Sequence, residues 1–399
     1  MRRVGVLWLG LLAAGALAAA ARGAPAGFEP QSVTFVSLEQ GWALGSAPCA
    51  AARCLALRET GDGGRSWSPA PLAPALVAAA DRRFRGPEAR YAIASLDVRF
   101  ADARDGWIYG GVPASFRQSG LTYYGLRPAL WSTHDGGRSW AQQRLPGVSA
   151  QDEIFDLEAL RGTAWLMVTR YGGTVAVMST PAGADRWTAA ATPRLSLPAG
   201  GAQPSGRFVF ANGAGWLVVG NDRGTSGSAR LQRGRWAAWT PPCQAVGDSF
   251  TVPAAADALD LAAVCVIGGF ASPLSRSAPP RATLGSSWLY LSRDGGASFH
   301  AGPELARRAI GEPAANGGPI ASPALGTILL GRLEANGIDQ QLVASFDGGV
   351  HWSVVATGTP VFLGFTSPAQ GIAIMRARGG ATSMLMTYDG GRRWAAVRF

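Results

Sequence analysis

Few residues in this chain of 399 could carry acid–base or nucleophilic chemistry. It contains 26 Asp and Glu, three His and no Lys, so all 36 basic residues are Arg. Without Lys, Schiff-base chemistry and a phosphate-binding P-loop are excluded. The densest acidic run, DEIFDLE from Asp152 to Glu158, alternates like an ordinary strand. Paired carboxylates for glycoside cleavage cannot be picked out of it, so the sequence nominates no catalytic residue.

Cysteine and histidine are the remaining candidates for metal binding. Neither cysteine pair has the C-x-x-C spacing of a zinc site, and we predict no metal and no cofactor. The three histidines lie in or beside a repeated turn, where we expect them to be exposed spacers: His134, His300 and His351. Four cysteines suit an oxidising compartment and allow three disulfide connectivities. The simplest is local pairing, Cys49 with Cys54 and Cys243 with Cys265.

One eight-residue segment organises the rest of the chain. THDGGRSW (Thr133 to Trp140) recurs in four variants, and we call each the DGG turn. The Asp can accept hydrogen bonds from turn amides, the paired glycines tolerate positive φ, and the aromatic residue opens the next strand, which predicts a β-hairpin corner. The Asp and aromatic positions are Asp62 and Trp67, Asp135 and Trp140, Asp294 and Phe299, Asp347 and Trp352, and Asp389 and Trp394.

Two eroded copies fill the long gap between the second and third DGG turns. TPAGADRW has Ala182 in place of the Asp, and ARLQRGRW has Leu231 there, but both keep the tryptophan, as Trp187 and Trp236. The total is then seven repeats, with six or eight as open alternatives. Because the aromatic residue persists where the Asp is lost, we expect all seven aromatic side chains to be largely buried.

The turn pattern S/T-x-D-x-G-x-x-W resembles the Asp box, or BNR repeat, of sialidase-type and sortilin-type β-propellers. Upstream segments such as VTFVSLEQGWALG (Val33 to Gly45) resemble the first two blade strands of photosystem II assembly-factor-like propellers. The resemblance implies an all-β, seven-bladed β-propeller of four-stranded antiparallel blades. We expect one domain over 28–399, with blades near 31–69, 96–145, 152–190, 205–239, 249–302, 317–358 and 360–399.

The first 23 residues read as an export signal. A basic MRR precedes an apolar run from Val4 to Ala21, and Ala21-Arg22-Gly23 offers small residues at a cleavage position. We therefore expect a secreted or periplasmic protein. The alternative is an uncleaved N-terminal anchor, which would be its only contact with a membrane.

Three long connections depart from the repeat, and blade geometry assigns them to one face of the ring. In a four-stranded blade the strand 2–3 connections and the links between blades share what we call the connection face, opposite the turn face that carries the DGG turns. The insertions lie at 70–95, 111–128 and 268–285. We expect a binding patch there that contains Arg85, Arg117, Tyr123, Tyr124 and Arg127. The alternative is that these loops only cover apolar edges, with solvated arginines.

An enzyme of the sialidase type would need more than this sequence offers. That family uses an FRIP motif, an arginine triad, a Tyr–Glu pair and an Asp acid, whereas here only FRGP occurs, at Phe84 to Pro87, after the first DGG turn. We therefore expect a non-enzymatic monomer that binds a protein or cell-envelope partner, including an anionic one. A sialidase-like or other glycan-active hydrolase is the alternative. Nucleic acid is not expected as a partner, since the arginines are scattered and the chain is exported.

Overall fold

The computed structural model describes residues 27–50, 52–84, 93–118, 121–197, 205–221, 224–243, 249–267, 287–304, 319–333 and 340–399. The expected signal segment, Arg85 and the third long connection lie outside these residues. Within them, no helix is both long and apolar enough to span a membrane.

The strands form seven antiparallel sheets, and each sheet takes its strands in chain order. The first three blades contain β1 (Glu29–Phe35), β2 (Gly41–Cys49), β3 (Ala52–Thr60) and β4 (Ser68–Ala70); β5 (Ser95–Phe100), β6 (Gly106–Gln118), β7 (Leu121–Thr133) and β8 (Ala141–Gln142); and β9 (Glu153–Leu160), β10 (Thr163–Thr169), β11 (Thr174–Pro181) and β12 (Thr188–Ala189), with β13 (Leu195–Ser196) also paired to β11.

The remaining four blades repeat this pattern with four strands each. They contain β14 (Ser205–Ala211), β15 (Ala214–Asn221), β16 (Gly224–Gln232) and β17 (Arg235–Ala238); β18 (Ser249–Ala255), β19 (Leu261–Ile267), β20 (Ser287–Ser292) and β21 (His300–Glu304); β22 (Ile320–Ala324), β23 (Thr327–Leu333), β24 (Gln340–Ser345) and β25 (Ser353–Thr357); and β26 (Thr359–Phe365), β27 (Gly371–Arg376), β28 (Thr382–Thr387) and β29 (Ala395–Ala396). The predicted seven-bladed β-propeller is confirmed.

The hydrophobic core lies between neighbouring blades. Second strands are apolar on both faces because a blade packs on each side of them, as the fully buried Trp42, Ala43 and Leu44 of β2 illustrate. Between the first two blades, the ring of Trp42 stacks on that of Phe100 with centroids 3.7 Å apart. The core therefore follows the ring of blades rather than filling one central volume.

The ring closes by packing the first blade against the last. The rings of Phe28 and Phe399 lie 4.6 Å apart, and the Tyr388 hydroxyl donates to the carbonyl oxygen of Gly63 at 2.8 Å. The Thr382 hydroxyl donates to the Pro30 carbonyl oxygen at 2.7 Å. Side-chain contacts thus join the two ends, and every described blade is built from consecutive strands.

Two of the insertions are more regular than the loops that the sequence suggested. The link after the first blade contains one helix, α1 (Pro74–Ala80), whose Leu76 is fully buried in the same apolar cluster as Val112. Just after the helix, Asp81 accepts a hydrogen bond from the Leu55 amide at 3.1 Å. The insertion in the second blade continues β6 and β7 as a paired ladder to the hairpin tip. Covering apolar surface is therefore part of what these insertions do.

Both disulfides have the local pairing that was predicted. Cys49 bonds to Cys54 across the end of the β2–β3 hairpin, with Cα atoms 5.8 Å apart. Cys243, in the segment after β17, bonds to Cys265 of β19. The second bond therefore fastens the fifth blade to the link that precedes it.

Candidate functional sites on the rim and in the channel

The carboxylates of the DGG turns are occupied by their own turns. Asp135 accepts hydrogen bonds from the Thr133 hydroxyl at 2.8 Å, the Ser139 amide at 2.9 Å and the Ser139 hydroxyl at 2.6 Å. Burial raises the pKa of Asp135, but these hydrogen bonds outweigh it and lower the pKa to about 2. The glycines have the positive φ that the motif predicts, 78° at Gly136 and 89° at Gly137. These aspartates therefore stabilise the turns.

The first eroded turn has redirected its acidic group. Thr180 keeps the anchoring role and accepts a hydrogen bond from the Arg186 amide at 3.1 Å. Asp185 instead reaches the second blade, where its carboxylate accepts from the Ser132 hydroxyl and the Gln143 side-chain amide, each at 2.7 Å. The third blade therefore has a hydrogen-bonded junction with the second blade, where an intact turn would have a carboxylate bonded within itself.

The aromatic residues of the turns divide into two groups. Trp67, Trp187, Trp236 and Trp394 are at most 9% exposed. The other three are half-buried: Trp140, Phe299 and Trp352. The expectation of burial therefore holds for four positions and only partly for three.

Four of the five predicted rim residues lie on the β6–β7 hairpin, and its register divides them between two faces. Tyr123 lies opposite Phe116 and Arg127 opposite Val112, so Tyr123 and Arg127 share one face of the ladder. Arg117 and Tyr124 belong to the other face, because neighbouring residues on a strand point to opposite sides. One flat patch therefore does not contain all four side chains.

The link and the hairpin nevertheless meet on the connection face. The ring of Phe84 packs on that of Tyr124, with centroids 5.0 Å apart. Tyr123 is 45% exposed, and Arg117 and Arg127 are exposed without an ion pair to any described residue. Tyr124 supports the hairpin, while Tyr123 and the two arginines are available to a partner.

The neighbouring blade adds an aromatic residue that the sequence did not single out. Tyr171 lies in the β10–β11 connection and is 70% exposed. Its amide donates to Asp152 at 2.9 Å, and Arg170 pairs with the same carboxylate at 3.1 Å. The available signal in the sequence is a tyrosine in a strand 2–3 connection. This connection is short, so it does not stand out beside the three long insertions.

A second candidate site lines the channel. The first strands of neighbouring blades contact each other, so they surround the axis of the ring. Two positions on these strands carry Ser32 and Thr34 in the first blade. The same two positions carry charged residues in the next two blades, Asp97 and Arg99 in the second and Asp156 and Glu158 in the third. With an inward arginine from the fourth blade and one tyrosine, they form what we call the channel cluster: Asp97, Arg99, Tyr109, Asp156, Glu158 and Arg207.

The channel cluster links three blades. Arg99 pairs with Glu158 at 2.9 Å, and their side chains are 18% and 27% exposed. Asp156 accepts a hydrogen bond from the Phe208 amide of the fourth blade at 2.7 Å, as Ser32 accepts one from the Val98 amide at 3.1 Å. The carboxylate thus takes over a hydrogen bond between blades that a hydroxyl makes elsewhere.

Burial dominates the electrostatics of this cluster. It raises the pKa of Glu158 to about 7, although Arg99 opposes the shift. Burial likewise raises the pKa values of Asp97 and Asp156 and lowers that of Arg207. For Arg99 burial acts to lower the pKa, but attraction to Glu158 and the other acidic groups leaves it raised. Glu158 can therefore gain and lose a proton near neutral pH.

The cluster includes the carboxylate and tyrosine that a glycan-active hydrolase would need. The Tyr109 hydroxyl lies 3.4 Å from Asp156 Oδ1, but Tyr109 is only 2% exposed. A substrate would have to displace neighbouring groups to reach that hydroxyl. The alternation of the DEIFDLE run predicts a strand and correctly places β9. Charge at the same two positions in consecutive first strands is the sequence signal that points to the cluster. Among the described residues, no group of three His, Cys, Asp or Glu is placed to hold a metal.

No protein-family model matches this chain, and no curated protein matches it. Solved structures do. YCF48 bound to a D1 peptide is 16% identical, with a TM-score of 0.48 over 92% of this chain and 93% of that one. A puromycin-hydrolysing peptidase from Mycobacterium tuberculosis is 14% identical, with a TM-score of 0.56 over 94% of this chain. This chain spans about half of the peptidase, 54%.

The β-propeller domain of a Trilobed protease from Pyrococcus furiosus is 8% identical, with a TM-score of 0.50 over 93% of this chain and 98% of that one. At such identities a likeness carries architecture and no activity. The seven sheets make this chain a seven-bladed β-propeller, and its likeness to a known β-propeller domain agrees with that architecture.

Proposed function

We propose that this chain is an exported, non-enzymatic β-propeller that binds a protein or cell-envelope partner through its connection face. The observation that carries the proposal is the length of the β6–β7 hairpin. Each of its two strands has 13 residues, whereas the second strands of the other blades have 7 to 9 residues, or 6 in β27. It presents exposed Tyr123, and two arginines that form no ion pair with a described residue. A rigid ladder loses little conformational entropy when it is bound.

The side chains suit a partner surface that carries carboxylates. Arginine can donate two parallel hydrogen bonds to a carboxylate, and tyrosine supplies a large contact area with few rotatable bonds. The packing of Phe84 on Tyr124 holds the hairpin against the link. The contact should weaken as salt rises, because exposed charges are screened over roughly 8–10 Å at physiological ionic strength.

The same proposal includes the family and the location. We take the DGG turns to be Asp boxes of the sialidase and sortilin type, and residues 1–23 to be a signal peptide. Two disulfides support an oxidising compartment outside the cytoplasm. We expect the exported protein to be a monomer.

The test is photocrosslinking in the producing cell. A benzoylphenylalanine replaces Tyr123 in one variant and Tyr388 in another; Tyr388 is 50% exposed on the turn face. We expect position 123 to crosslink one defined partner and position 388 not to do so. Equal crosslinking at both positions, or none at position 123, would contradict the proposal.

Affinity for the crosslinked protein then tests the side chains. The triple variant Arg117→Ala, Tyr123→Ala, Arg127→Ala should weaken binding by at least about 100-fold, since interface anchors of these types typically contribute about 2 kcal/mol or more. The control removes two exposed arginines and one exposed apolar side chain from the turn face, and it leaves the Tyr388 hydrogen bond that closes the ring intact: Arg235→Ala, Val350→Ala, Arg393→Ala. Both variants should keep the wild-type circular dichroism spectrum.

A glycan-active hydrolase is the second candidate, and the channel cluster supports it. Glu158, with a pKa of about 7, is suited to exchange protons with a substrate at neutral pH. A panel of fluorogenic glycosides tests it with Glu158→Gln and, as control, the exposed Glu153→Gln. Turnover that Glu158→Gln abolishes and Glu153→Gln preserves would favour the hydrolase. An inactive wild-type protein would remove this candidate.

A further inference from the structure

A groove of about 530 Å³ opens on the turn face between the first and second blades. That volume falls within the range of about 300–1,000 Å³ that is typical of small-ligand sites. Its walls include Gln40 and Glu59 of the first blade, Pro71 of the link, and Arg104, Asp135 and Arg138 of the second blade. It is separate from the hairpin, which lies on the connection face.

The second-blade wall is held rigid. The Gly136 amide donates to the Arg104 carbonyl oxygen at 2.9 Å, so the DGG turn is fastened to the β5–β6 turn. A Cβ on Gly136, where φ is 78°, would stand 2.9 Å from the Ala103 carbonyl oxygen, so this close approach needs glycine. The link seals the groove from behind, because Trp140 Nε1 donates to the Pro71 carbonyl oxygen at 3.1 Å.

The junction differs from the corresponding junction between the fourth and fifth blades. There, Trp216 Nε1 donates to the carbonyl oxygen of Gly295 in the neighbouring DGG turn at 3.0 Å. Trp42 occupies the equivalent position beside the groove, yet its buried Nε1 has no hydrogen-bond partner among the described residues. That nitrogen would lie 3.6 Å from a Cβ on Gly137, which lines the groove. The first junction therefore lacks the tryptophan hydrogen bond that spans the other one.

Charge is divided between the two walls. Arg104 and Arg138 are exposed. Among the described residues, the Arg104 guanidinium donates only to the His134 carbonyl oxygen at 3.5 Å, and that of Arg138 only to the Asp135 carbonyl oxygen at 3.3 Å. Asp135 in the same wall stays ionised, but both of its carboxylate oxygens already accept hydrogen bonds within its turn. Glu59 on the opposite wall forms no ion pair with a described residue. One wall therefore carries two guanidinium groups and a net positive charge, and the other carries the single negative charge of Glu59.

We propose that this groove binds a short peptide segment that carries acidic residues at one end and a basic residue at the other. The acidic side chains lie against Arg104 and Arg138, where each guanidinium has free donors for a carboxylate. The ammonium of the basic residue lies against Glu59. Pro71 and Ala103 provide apolar contact between the two charged ends. This site is independent of the partner proposed for the hairpin.

The test uses the full chain and four fluorescein-labelled octapeptides of equal length: acidic at one end and basic at the other, acidic only, basic only, and neutral. Fluorescence anisotropy should rank the mixed peptide as the tightest binder. The double variant Arg104→Gln, Arg138→Gln should weaken its binding at least about tenfold. Arg65→Gln is the matched control, because Arg65 makes the same contact to its turn, at 2.9 Å, outside the groove.

Glu59→Gln separates this proposal from a simple anion site. It should reduce binding of the mixed peptide to the level of the acidic peptide and leave the acidic peptide unchanged. Equal binding of the mixed and acidic peptides to the wild-type protein would overturn the proposal, as would an effect of Arg65→Gln equal to that of the double variant. The hairpin triple variant should bind the mixed peptide normally, so failure of one proposal does not imply failure of the other.

Discussion

Asp185 of the third blade lies 3.1 Å from Nε2 of His134 in the second blade. The other ring nitrogen, Nδ1, lies 2.7 Å from Asp105 of the second blade. The imidazole is thus held between two carboxylates at a junction where the third-blade turn has lost its own aspartate. A residue that the sequence suggested to be an exposed spacer joins two blades.

This junction should make stability depend on pH near neutrality. Partial burial acts to lower the pKa of His134, but both carboxylates raise it above the usual 6.5. The stabilisation is therefore complete below pH 6.5 and is lost as the pH rises through the raised pKa. His134→Gln should flatten this dependence in urea unfolding below and well above pH 6.5. We expect an effect on the order of 1 kcal/mol or less, since the ring is 38% exposed. An unchanged slope would contradict the assignment.

Acid should weaken the intact DGG turns. The pKa of Asp135 lies at about 2 in the fold against a usual 3.8, so its stabilisation is present above pH 3.8 and is lost as the pH falls towards 2. Asp135→Ala should cost about 1 kcal/mol at neutral pH and reduce the acid dependence of the melting temperature. As a control, Ala182→Asp should bring no comparable gain, because Thr180 already bonds elsewhere in that turn.

The two disulfides should contribute unequally. Loop closure over separations of 22 and 5 residues predicts about 3 kcal/mol for Cys243–Cys265 and about 2 kcal/mol for Cys49–Cys54. Cys243 and Cys265 are also buried, at 1% and 0% exposure, so their replacement disturbs packing as well. Guanidinium unfolding of the Cys→Ala pairs measures the difference. A larger loss for Cys49→Ala with Cys54→Ala would contradict this order.

The channel cluster should oppose folding at high pH. Burial raises the pKa of Glu158 from 4.5 to about 7, so the contribution of Glu158 to stability is greatest below pH 4.5 and falls as the pH rises through 7. Glu158→Gln should make this decline shallower. Asp97 and Asp156 shift in the same direction and should preserve part of it. Thermal unfolding across this range tests the effect, with the exposed Glu39→Gln as a control that should leave the slope unchanged.

Local features were predictable because their interactions are short in sequence. Each DGG turn forms its hydrogen bonds within eight residues, so the Asp, the paired glycines and the aromatic residue identify a hairpin corner wherever they recur. Repetition then supplied the blade count and the antiparallel four-stranded sheets. The short separation of Cys49 and Cys54 made their pairing readable in the same way.

Contacts between blades were not predictable, because they join residues that are distant in the chain. Arg99 meets Glu158, and Asp185 meets His134, only once neighbouring blades are packed. The composition of the rim patch was set by the register of the β6–β7 ladder. Alternation along the strands places Tyr123 and Arg127 on one face and Arg117 and Tyr124 on the other. The sequence by itself determined the repeating blade; the tertiary structure decided which charges meet, because ring closure, not local propensity, sets the distances between blades.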